Sequence, residues 1–416
     1  METKGERLRS LFISPNRVVE TVQAVRGLVP LRQFRLLFPL WRVSISGRQY
    51  ERRPYELLER FFERAIGEAE LRTATELERF FGLPPAAVTK MLTFLRTMGH
   101  VSGDDEHLSL SELGRASLQS GQFLRPLESQ RLLYFEAFNS QPLPRSYYEH
   151  ESLILSEVEA ARLSDRTITR LYSGPQGLYF DPDRLRELAH RADREEYNLP
   201  SELELGTHPI RQVARAYFPL TVVEAHAYDE GYRHVMERRF LALSPVAGYR
   251  DLFFERLIES QPAIAYAFPE LDERKVCEAI ERYASRQGLQ LPQEAQIMRS
   301  AAGLWQLVLS PDLFKAANAE RQGLRVSDVG NVRQEEGYFF QLWCEERELR
   351  YRSVLEQTLL FVERQQRRRQ ALFRGSILQV MRHVCQRLAV PVPAWSELEA
   401  FARAQGRADL LEELEA

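Results

Sequence analysis

Apolar positions between residues 54 and 82 recur at helical spacing. A first helix is predicted from Pro54, because proline lacks the N–H that the first helical position leaves unbonded. A second is predicted from Thr73, which forms a capping-box pattern with Glu76, and Gly82 is typical of a helix end. The side chains predicted to be buried are Leu57, Leu58, Phe61, Phe62, Ala65 and Ile66, followed by Leu77, Phe80 and Phe81.

A third helix is predicted over residues 84–98, and Gly99 ends it. Its apolar stripe consists of Val88, Met91, Leu92, Leu95 and Met98. A projection at about 100° per residue places Ala86, Lys90, Thr93 and Thr97 opposite that stripe, with Thr89 and Arg96 beside it. One face of this helix is therefore expected to be polar and exposed.

Two short strands are predicted after the third helix, at residues 100–102 and 107–110. The polar turn Gly103-Asp104-Asp105-Glu106 joins them, and another helix is predicted from Ser111 to Leu118. This order of helices and hairpin resembles the winged helix-turn-helix superfamily of bacterial DNA-binding proteins. Residues 108–115 are similar to the strand-to-helix joint after the wing in that superfamily. The resemblance covers residues 54–118 of 416.

The resemblance implies that the helix of residues 84–98 is the recognition helix and lies in the major groove. Lysine and arginine can bond phosphates or guanine edges, and threonine can bond a base or touch a thymine methyl. The side chains expected to contact double-stranded DNA are Thr89, Lys90, Thr93, Arg96 and Thr97.

The charges of this segment leave a second interpretation open. Residues 50–121 contain twelve acidic and nine basic side chains. The third helix contains no acidic residue. The hairpin tip, however, carries Asp104, Asp105 and Glu106, where a wing beside DNA usually carries a basic side chain. Winged helices also bind proteins, so the alternative is a scaffold subunit that holds a protein partner. Phe94, at the edge of the apolar stripe, would then be an anchor.

Residues 1–50 are predicted to form a basic N-terminal arm with a strand, since they contain nine basic and three acidic residues. The alternation of residues 42–46 indicates the strand. Such an arm either binds phosphate beside the winged helix or packs over the protein. The packed arrangement is favoured because Phe34, Leu37, Phe38 and Trp41 require burial.

Residues 122–250 are predicted to be a mixed region with a β-hairpin around Tyr228-Asp229-Glu230-Gly231. His226 and His234 would face each other across that hairpin, near Glu224 or Glu237, as a metal site requires. No third ligand has a usual spacing, so ordinary imidazoles are favoured and no metal is predicted.

Residues 251–416 show helical spacing and are predicted to be a helical domain. Their densest basic run is Arg364, Arg367, Arg368 and Arg369. The last three could contact a nucleic-acid backbone, or the run could be the solvated face of a long helix, which is the favoured interpretation.

Composition adds limits to this picture. The length of 416 residues allows two or three domains, and the net charge of −3 gives no global sign of a nucleic-acid coat. The cysteines, Cys277, Cys344 and Cys385, are scattered, which favours reduced thiols in a cytoplasmic protein. No apolar run reaches the roughly 20 residues that a membrane helix needs, and no membrane partner is predicted. The predominance of arginine over lysine favours a bacterial source.

The sequence lacks Walker A, GxGxxG, GxSxG and HExxH patterns. Asp251 with Glu273 and Lys275 weakly resembles the acidic and lysine set of restriction-type nucleases. That set normally lies on strands, whereas this segment has helical spacing. No catalytic residue and no cofactor are therefore predicted.

The combined prediction is a mainly α fold with minor β. It consists of the arm of residues 1–50, a winged helix at 51–121, the hairpin region at 122–250 and a C-terminal helical domain at 251–416. The expected function is DNA binding by a bacterial cytoplasmic protein, in transcription regulation or as a subunit of a larger complex, with a protein partner or a second copy. The alternative is a non-enzymatic scaffold, for example in chromosome organisation or antiviral (phage) defence.

Overall fold

A computed structural model describes residues 11–25, 27–163, 167–171, 177–228, 235–246, 250–261, 264, 268–289, 295–300, 303–314, 324–367 and 372–412. Of these residues, 45% are helical and 29% lie in strands. The expectation of a mainly α fold is therefore wrong, because a ten-stranded mixed sheet dominates the N-terminal and middle regions.

The elements are numbered in chain order. The α-helices are α1 (Pro15–Ala24), α2 (Leu57–Gly67), α3 (Ala74–Phe81), α4 (Pro85–Thr97), α5 (Glu112–Ser120), α6 (Glu157–Leu163), α7 (Pro182–His190), α8 (Leu252–Ser260), α9 (Glu273–Arg286), α10 (Arg347–Arg367), α11 (Arg374–Leu388), α12 (Trp395–Ala404) and α13 (Asp409–Glu412). The strands are β1 (Leu28–Arg53), β2 (Val101–Ser102), β3 (Ser109–Leu110), β4 (Phe123–Glu136), β5 (Leu155–Ser156), β6 (Ile168–Arg170), β7 (Glu204–Tyr228), β8 (Val235–Leu243), β9 (Ala295–Arg299), β10 (Trp305–Leu309), β11 (Val332–Glu335) and β12 (Tyr338–Trp343). Short 3₁₀ segments occur at Arg145–Leu153, Arg194–Tyr197, Pro311–Phe314 and Val326–Asp328.

The large sheet contains antiparallel and parallel pairs. β1 is antiparallel to β4 over residues 40–53 and parallel to β6 over residues 35–37. β10 is parallel to β12 and antiparallel to β9. β7 and β8 are antiparallel, as the predicted hairpin requires, while its connecting residues 229–234, including His234, lie outside the described part of the chain.

Two strands are far longer than the sequence pattern indicated. β1 has 26 residues and contains Pro30 and Pro39, and β7 has 25 residues and contains Pro209 and Pro219. Proline removes a ladder hydrogen bond and usually marks the end of a strand or an edge. The pattern therefore predicted only short β segments where the chain forms continuous strands.

The expectation of a C-terminal helical domain is also wrong. β9, β10, β11 and β12, with four to six residues each, lie between α9 and α10. Apolar runs this short do not show whether they belong to a strand or to a buried helix. Helical spacing on either side therefore predicts helix where these short strands lie.

The chain divides into two compact units, which differ from the domains predicted from sequence. The first consists of Met1–Phe38, Leu153–Gly174 and Tyr217–Ala416, and the second of Pro39–Ser152 and Pro175–Ala216. Among the described residues, no helix combines the length and the apolar character needed to cross a bilayer.

In the first unit the N-terminal residues are packed rather than free. Leu37 and Phe38 are fully buried. Arg32 is buried as well, and its Nε donates to Glu224 Oε2 at 2.7 Å, while Arg238 Nε donates to the other oxygen of Glu224 at 2.7 Å. Arg32 also donates to the carbonyl oxygen of Glu270 at 3.1 Å. The structure thus favours the packed arm, although Lys4, Arg7, Arg9 and Arg26 lie outside the described residues.

The second unit is built on the antiparallel ribbon of β1 and β4. Arg53 lies opposite Phe123, so the chain leaves the ribbon and returns to it at one place. Residues 54–121, inserted between these two positions, contain α2–α5 and the β2–β3 hairpin and are called the 54–121 module below. Its core contains Phe62, Ala65, Ile66, Leu77, Val88, Leu92, Leu95, Val101, Leu108 and Leu110.

The elements of the 54–121 module lie close to their predicted positions, but the buried face of α2 differs. Leu57, Leu58 and Phe61, predicted to be buried, are exposed, whereas Glu59 and Glu63 are buried. The helix begins at Leu57 rather than at Pro54, and on α3 Phe80 is exposed instead of buried. Helical spacing alone does not show which face of α2 is buried, because the residues that bond Glu59 and Glu63 lie outside this helix.

Candidate nucleic-acid interface

The packing of α4 determines which of its side chains are available. Val88, Leu92 and Leu95 are fully buried in the core of the module. Pro85 lies in the first turn, where proline is tolerated. The opposite side of the helix consists of Ala86, Thr89, Lys90, Thr93 and Thr97, all exposed. This set, called the α4 face below, carries no acidic side chain.

Among the predicted contact residues, Thr89, Lys90, Thr93 and Thr97 lie together on the α4 face. Thr93 Oγ1 donates to the carbonyl oxygen of Thr89 at 2.8 Å, and Thr97 Oγ1 donates to that of Thr93 at 2.7 Å. These hydroxyl protons are used within the helix, so the two threonines present an acceptor oxygen and a methyl group. Lys90 supplies the positive charge.

Arg96 is not available as predicted. Its side chain is 29% exposed, and its Nη2 donates to Asp105 Oδ1 of the hairpin tip at 2.8 Å. The sequence places these residues nine positions apart, and only the hairpin turn brings them together. Arg96 is therefore neutralised in this structure, and the predicted set loses one cation.

The hairpin between β2 and β3 has a tight, acidic tip. Gly103 adopts a φ of +92°, and a Cβ there would lie 1.7 Å from the carbonyl oxygen of His107, so only glycine fits. Asp104 accepts hydrogen bonds from the backbone N–H groups of Glu106 and His107, and these bonds lower the pKa of Asp104. Asp104 therefore keeps its negative charge to a lower pH than an ordinary aspartate does.

The tip is also attached to the start of α3. The N–H of Ala74 donates to the carbonyl oxygen of Asp105 at 2.8 Å, and that of Leu108 donates to the carbonyl oxygen of Arg72 at 2.7 Å. The predicted capping box is present, with Glu76 N–H donating to Thr73 Oγ1 at 3.2 Å. The hairpin, α3 and α4 are therefore connected by hydrogen bonds as well as by their shared core.

The site predicted from the sequence omits two exposed cations of the module. Arg72 and Arg79 are exposed, and neither forms a salt bridge within the described part of the chain. Arg72 immediately precedes the cap residue Thr73, a position beside the positive end of a helix where anions bind. That position next to a capping box is the sequence signal that could have identified it.

A buried polar network holds α2 to the rest of the module. His100 Nδ1 lies 2.6 Å from Glu63 Oε1, and His100 Nε2 lies 2.7 Å from the carbonyl oxygen of Leu124. A carbonyl can only accept, so Nε2 carries a proton and donates it. The Tyr55 hydroxyl donates to Glu63 Oε2 at 2.6 Å, and burial together with this bond raises the pKa of Tyr55.

A second anchor lies at the junction with the ribbon. Arg53 donates to both carboxylate oxygens of Glu59, at 2.8 and 2.6 Å, and its guanidinium lies 4.1 Å from the centre of the Phe123 ring. Glu59 also accepts from the backbone N–H of Glu56 at 2.9 Å. These contacts, with those of Glu63, explain why two acidic residues of α2 point inward.

The basic run of α10 is only partly described. Arg367 is exposed, but it donates to Glu363 Oε1 at 2.5 Å, and Arg407 also bonds Glu363. Arg368 and Arg369 lie outside the described residues. Of the two described members of the run, Arg367 is thus paired on its own helix and Arg364 is exposed.

The other candidate chemistry does not assemble into a site among the described residues. Glu224, expected near His226, is bonded to two arginines. No group of three or more metal-binding side chains occurs in the described part of the chain. Asp251 caps α8, and Glu273 is bonded to Arg299, so neither is arranged as in the nuclease set.

Comparison of this chain with protein-family models, with curated proteins and with solved structures finds no match.

Proposed function

We propose that the 54–121 module binds double-stranded DNA through the α4 face. One observation carries the proposal: this face is exposed, polar and without acidic side chains, while Val88, Leu92 and Leu95 fix the opposite side of the helix. A helix presented in this way suits the major groove, which is about 12 Å wide. The resemblance of residues 54–118 to winged helix-turn-helix proteins supports the same mode of binding.

The cations of the module have separate roles in this proposal. Lys90 would contact a phosphate or a guanine edge from the α4 face, and Arg72 would contact a phosphate from the start of α3. Thr89 and Thr93 would touch base edges. The protein would act in transcription regulation or as the DNA-binding subunit of a complex in a bacterial cytoplasm, with a protein partner or a second copy.

Replacing Lys90 with alanine is expected to weaken binding to all duplex sequences alike. If Lys90 contacts a phosphate, the slope of log affinity against log salt should decrease by about 1. Thr93→Ala should instead change the preference among sequences and leave the slope intact. Mobility-shift titrations of the full chain at several salt concentrations measure both effects, and Val158→Ala, on α6, is the control. Absence of any shift at low salt would contradict the proposal.

A second candidate function, a scaffold that holds a protein, is favoured by the acidic hairpin tip and by the neutralised Arg96. DNA repels a negative tip, whereas a protein partner need not. Phe94, suggested by the sequence as the anchor of such a partner, is half-buried and stacked on Phe123 with ring centres 5.9 Å apart. A partner would therefore contact only the part of the Phe94 ring that Phe123 leaves exposed.

Replacing Asp105 with asparagine separates the two functions. The change removes one negative charge from the tip and releases Arg96 from its salt bridge, so DNA binding should strengthen about two- to tenfold at low salt and depend more steeply on salt. Asp183→Asn, on the surface of α7, is a charge-matched control. A scaffold predicts no gain in DNA affinity from Asp105→Asn, and that result would favour the second candidate.

A further inference from the structure

An exposed apolar surface lies on α2 and α3. Leu57 is 72% exposed, Leu58 44%, Phe61 45% and Phe80 62%. Single exposed apolar side chains are ordinary, but a group of large ones within one small module marks an interaction surface. These four residues are called the α2–α3 strip below.

Helical spacing and ring contacts connect the members of the strip. Leu57, Leu58 and Phe61 share one side of α2, because residues three and four apart are neighbours on a helix. Phe80 packs edge-on against Phe81 with ring centres 5.0 Å apart, and Phe81 stacks on Phe62 of α2 at 5.0 Å. These rings connect the two helices that carry the strip, with the Phe62 ring fully buried beneath it.

The strip faces outward because ionic anchors fix the rotation of α2. Glu59 is held by Arg53, and Glu63 is held by His100 and Tyr55. Turning Leu57 and Phe61 into the core would expose Phe62 and break both anchors. The exposed apolar side chains are thus part of the stable arrangement of the module.

The charges around the strip indicate the chemistry of its occupant. Arg60, between Leu57 and Phe61, and Arg79, beside Phe80, are exposed and have no salt bridge to any described residue. The acidic residues of the exposed side of α2 lie at its ends, Glu56 before the first turn and Glu68 bonded to Arg64 after the last. On α3, Glu76 accepts from the backbone N–H groups of Arg72 and Thr73, and the nearby charge of Arg79 lowers its pKa further. An occupant with acidic side chains beside its apolar ones would pair with Arg60 and Arg79, which form no salt bridge within the described residues.

We infer that the α2–α3 strip docks an acidic amphipathic helix of a protein partner. Its apolar side chains would cover Leu57, Phe61 and Phe80, and its carboxylates would meet Arg60 and Arg79, as in other helix-in-groove contacts. This inference does not depend on DNA binding, because none of the strip residues belongs to the α4 face. A module that holds DNA on one face and a partner on another suits a subunit of a larger complex.

The inference is tested with two labelled helical peptides and the full-length chain. Each peptide has about 18 residues, which is long enough for helix formation, and leucines at positions i, i+3, i+4 and i+7. One carries glutamates and the other lysines beside the leucines. Fluorescence anisotropy should show that the glutamate peptide binds at least about tenfold more tightly, since opposite charges attract and like charges repel across the interface.

Variants then assign the binding to the strip. Phe61→Ser should weaken the glutamate peptide about tenfold or more, as loss of a large aromatic anchor does. The double variant Arg60→Glu with Arg79→Glu should reverse the preference in favour of the lysine peptide. Tyr179→Ser, which alters an exposed aromatic residue outside the module, is the matched control and should bind the peptides like the unchanged chain.

Mobility shifts with duplex DNA should be unchanged for Phe61→Ser. Peptide docking and DNA binding are therefore tested separately, and one can fail without the other.

Three results would overturn the inference. Equal binding of the two peptides would show a surface without charge preference. Equal binding by Phe61→Ser and the unchanged chain would place the peptide elsewhere. Sedimentation would identify a second copy as the occupant if the unchanged chain self-associates and the Phe61→Ser variant does not. Circular dichroism of each variant confirms that it is folded before its binding is compared.

Discussion

Replacing His100 with alanine is expected to lower the free energy of unfolding of the 54–121 module by about 3–5 kcal/mol, the range typical of removing one partner of a buried pair of polar side chains. His100 and Glu63 have fully buried side chains and lie 2.6 Å apart. Without the imidazole, the Glu63 carboxyl keeps only the Tyr55 hydroxyl as a partner, and the carbonyl oxygen of Leu124 loses its donor. A buried polar group without a partner is unfavourable by itself.

Hydrogen–deuterium exchange in the full-length chain measures this loss. Protection of the amides in α2 and α4 should fall by about two to three and a half powers of ten, since each factor of ten corresponds to about 1.4 kcal/mol. His107→Ala is the matched control, because His107 lies on the hairpin tip with its side chain 87% exposed, and such a change usually costs less than about 0.5 kcal/mol.

A double variant distinguishes the buried hydrogen-bonded pair from simple packing. Glu63→Leu combined with His100→Leu removes both polar groups and keeps apolar volume, so it should cost clearly less than the sum of the two single leucine substitutions. Additive losses would mean that His100 acts mainly through its stacking on Phe123, whose ring centre lies 4.2 Å away.

The helices of the module were predictable from local patterns, whereas the sheet was not. Thr73, Glu76 and Gly82 determine the two ends of α3 through capping and a left-handed residue, and both signals lie within a few residues of the helix. β1 and β7 depend on pairing between residues far apart in sequence, and their prolines suggest interruption locally. Local chemistry therefore predicted helix ends, but the long strands required tertiary information.

The same distinction applies to the candidate site. The exposure of Lys90 and Thr93 follows from helical spacing against Leu92 and was predicted correctly. The pairing of Arg96 with Asp105 depends on how the hairpin folds back, which spacing does not show. The inward rotation of Glu63 on α2 likewise depends on His100, 37 residues later.

The ionic anchors and the two exposed surfaces are physically related. Because carboxylates occupy inward positions on α2, Leu57, Leu58 and Phe61 face outward and form the α2 part of the α2–α3 strip. On α4 the pattern is the ordinary one, with leucines inward and polar side chains outward. The module thus presents an apolar surface and a polar surface from helices of similar length, and the buried network of Glu63 and His100 fixes the helix that carries the apolar one.

Replacing Leu92 with alanine is expected to cost about 2–5 kcal/mol, because it removes a fully buried side chain and leaves a cavity in the core. Leu92 lies in the middle of α4, between the buried Val88 and Leu95, so the loss should be largest in that helix. Leu57→Ala is a matched leucine control in the same module, 72% exposed, and should change stability by less than about 0.5 kcal/mol. Exchange protection of the α4 amides measures both variants.

If the proposed DNA binding requires a folded α4, Leu92→Ala should also lose duplex binding at temperatures where that protection disappears and recover it on cooling. Equal protection in Leu92→Ala and Leu57→Ala would contradict the packing of α4, and with it the exposed face on which the proposed function depends.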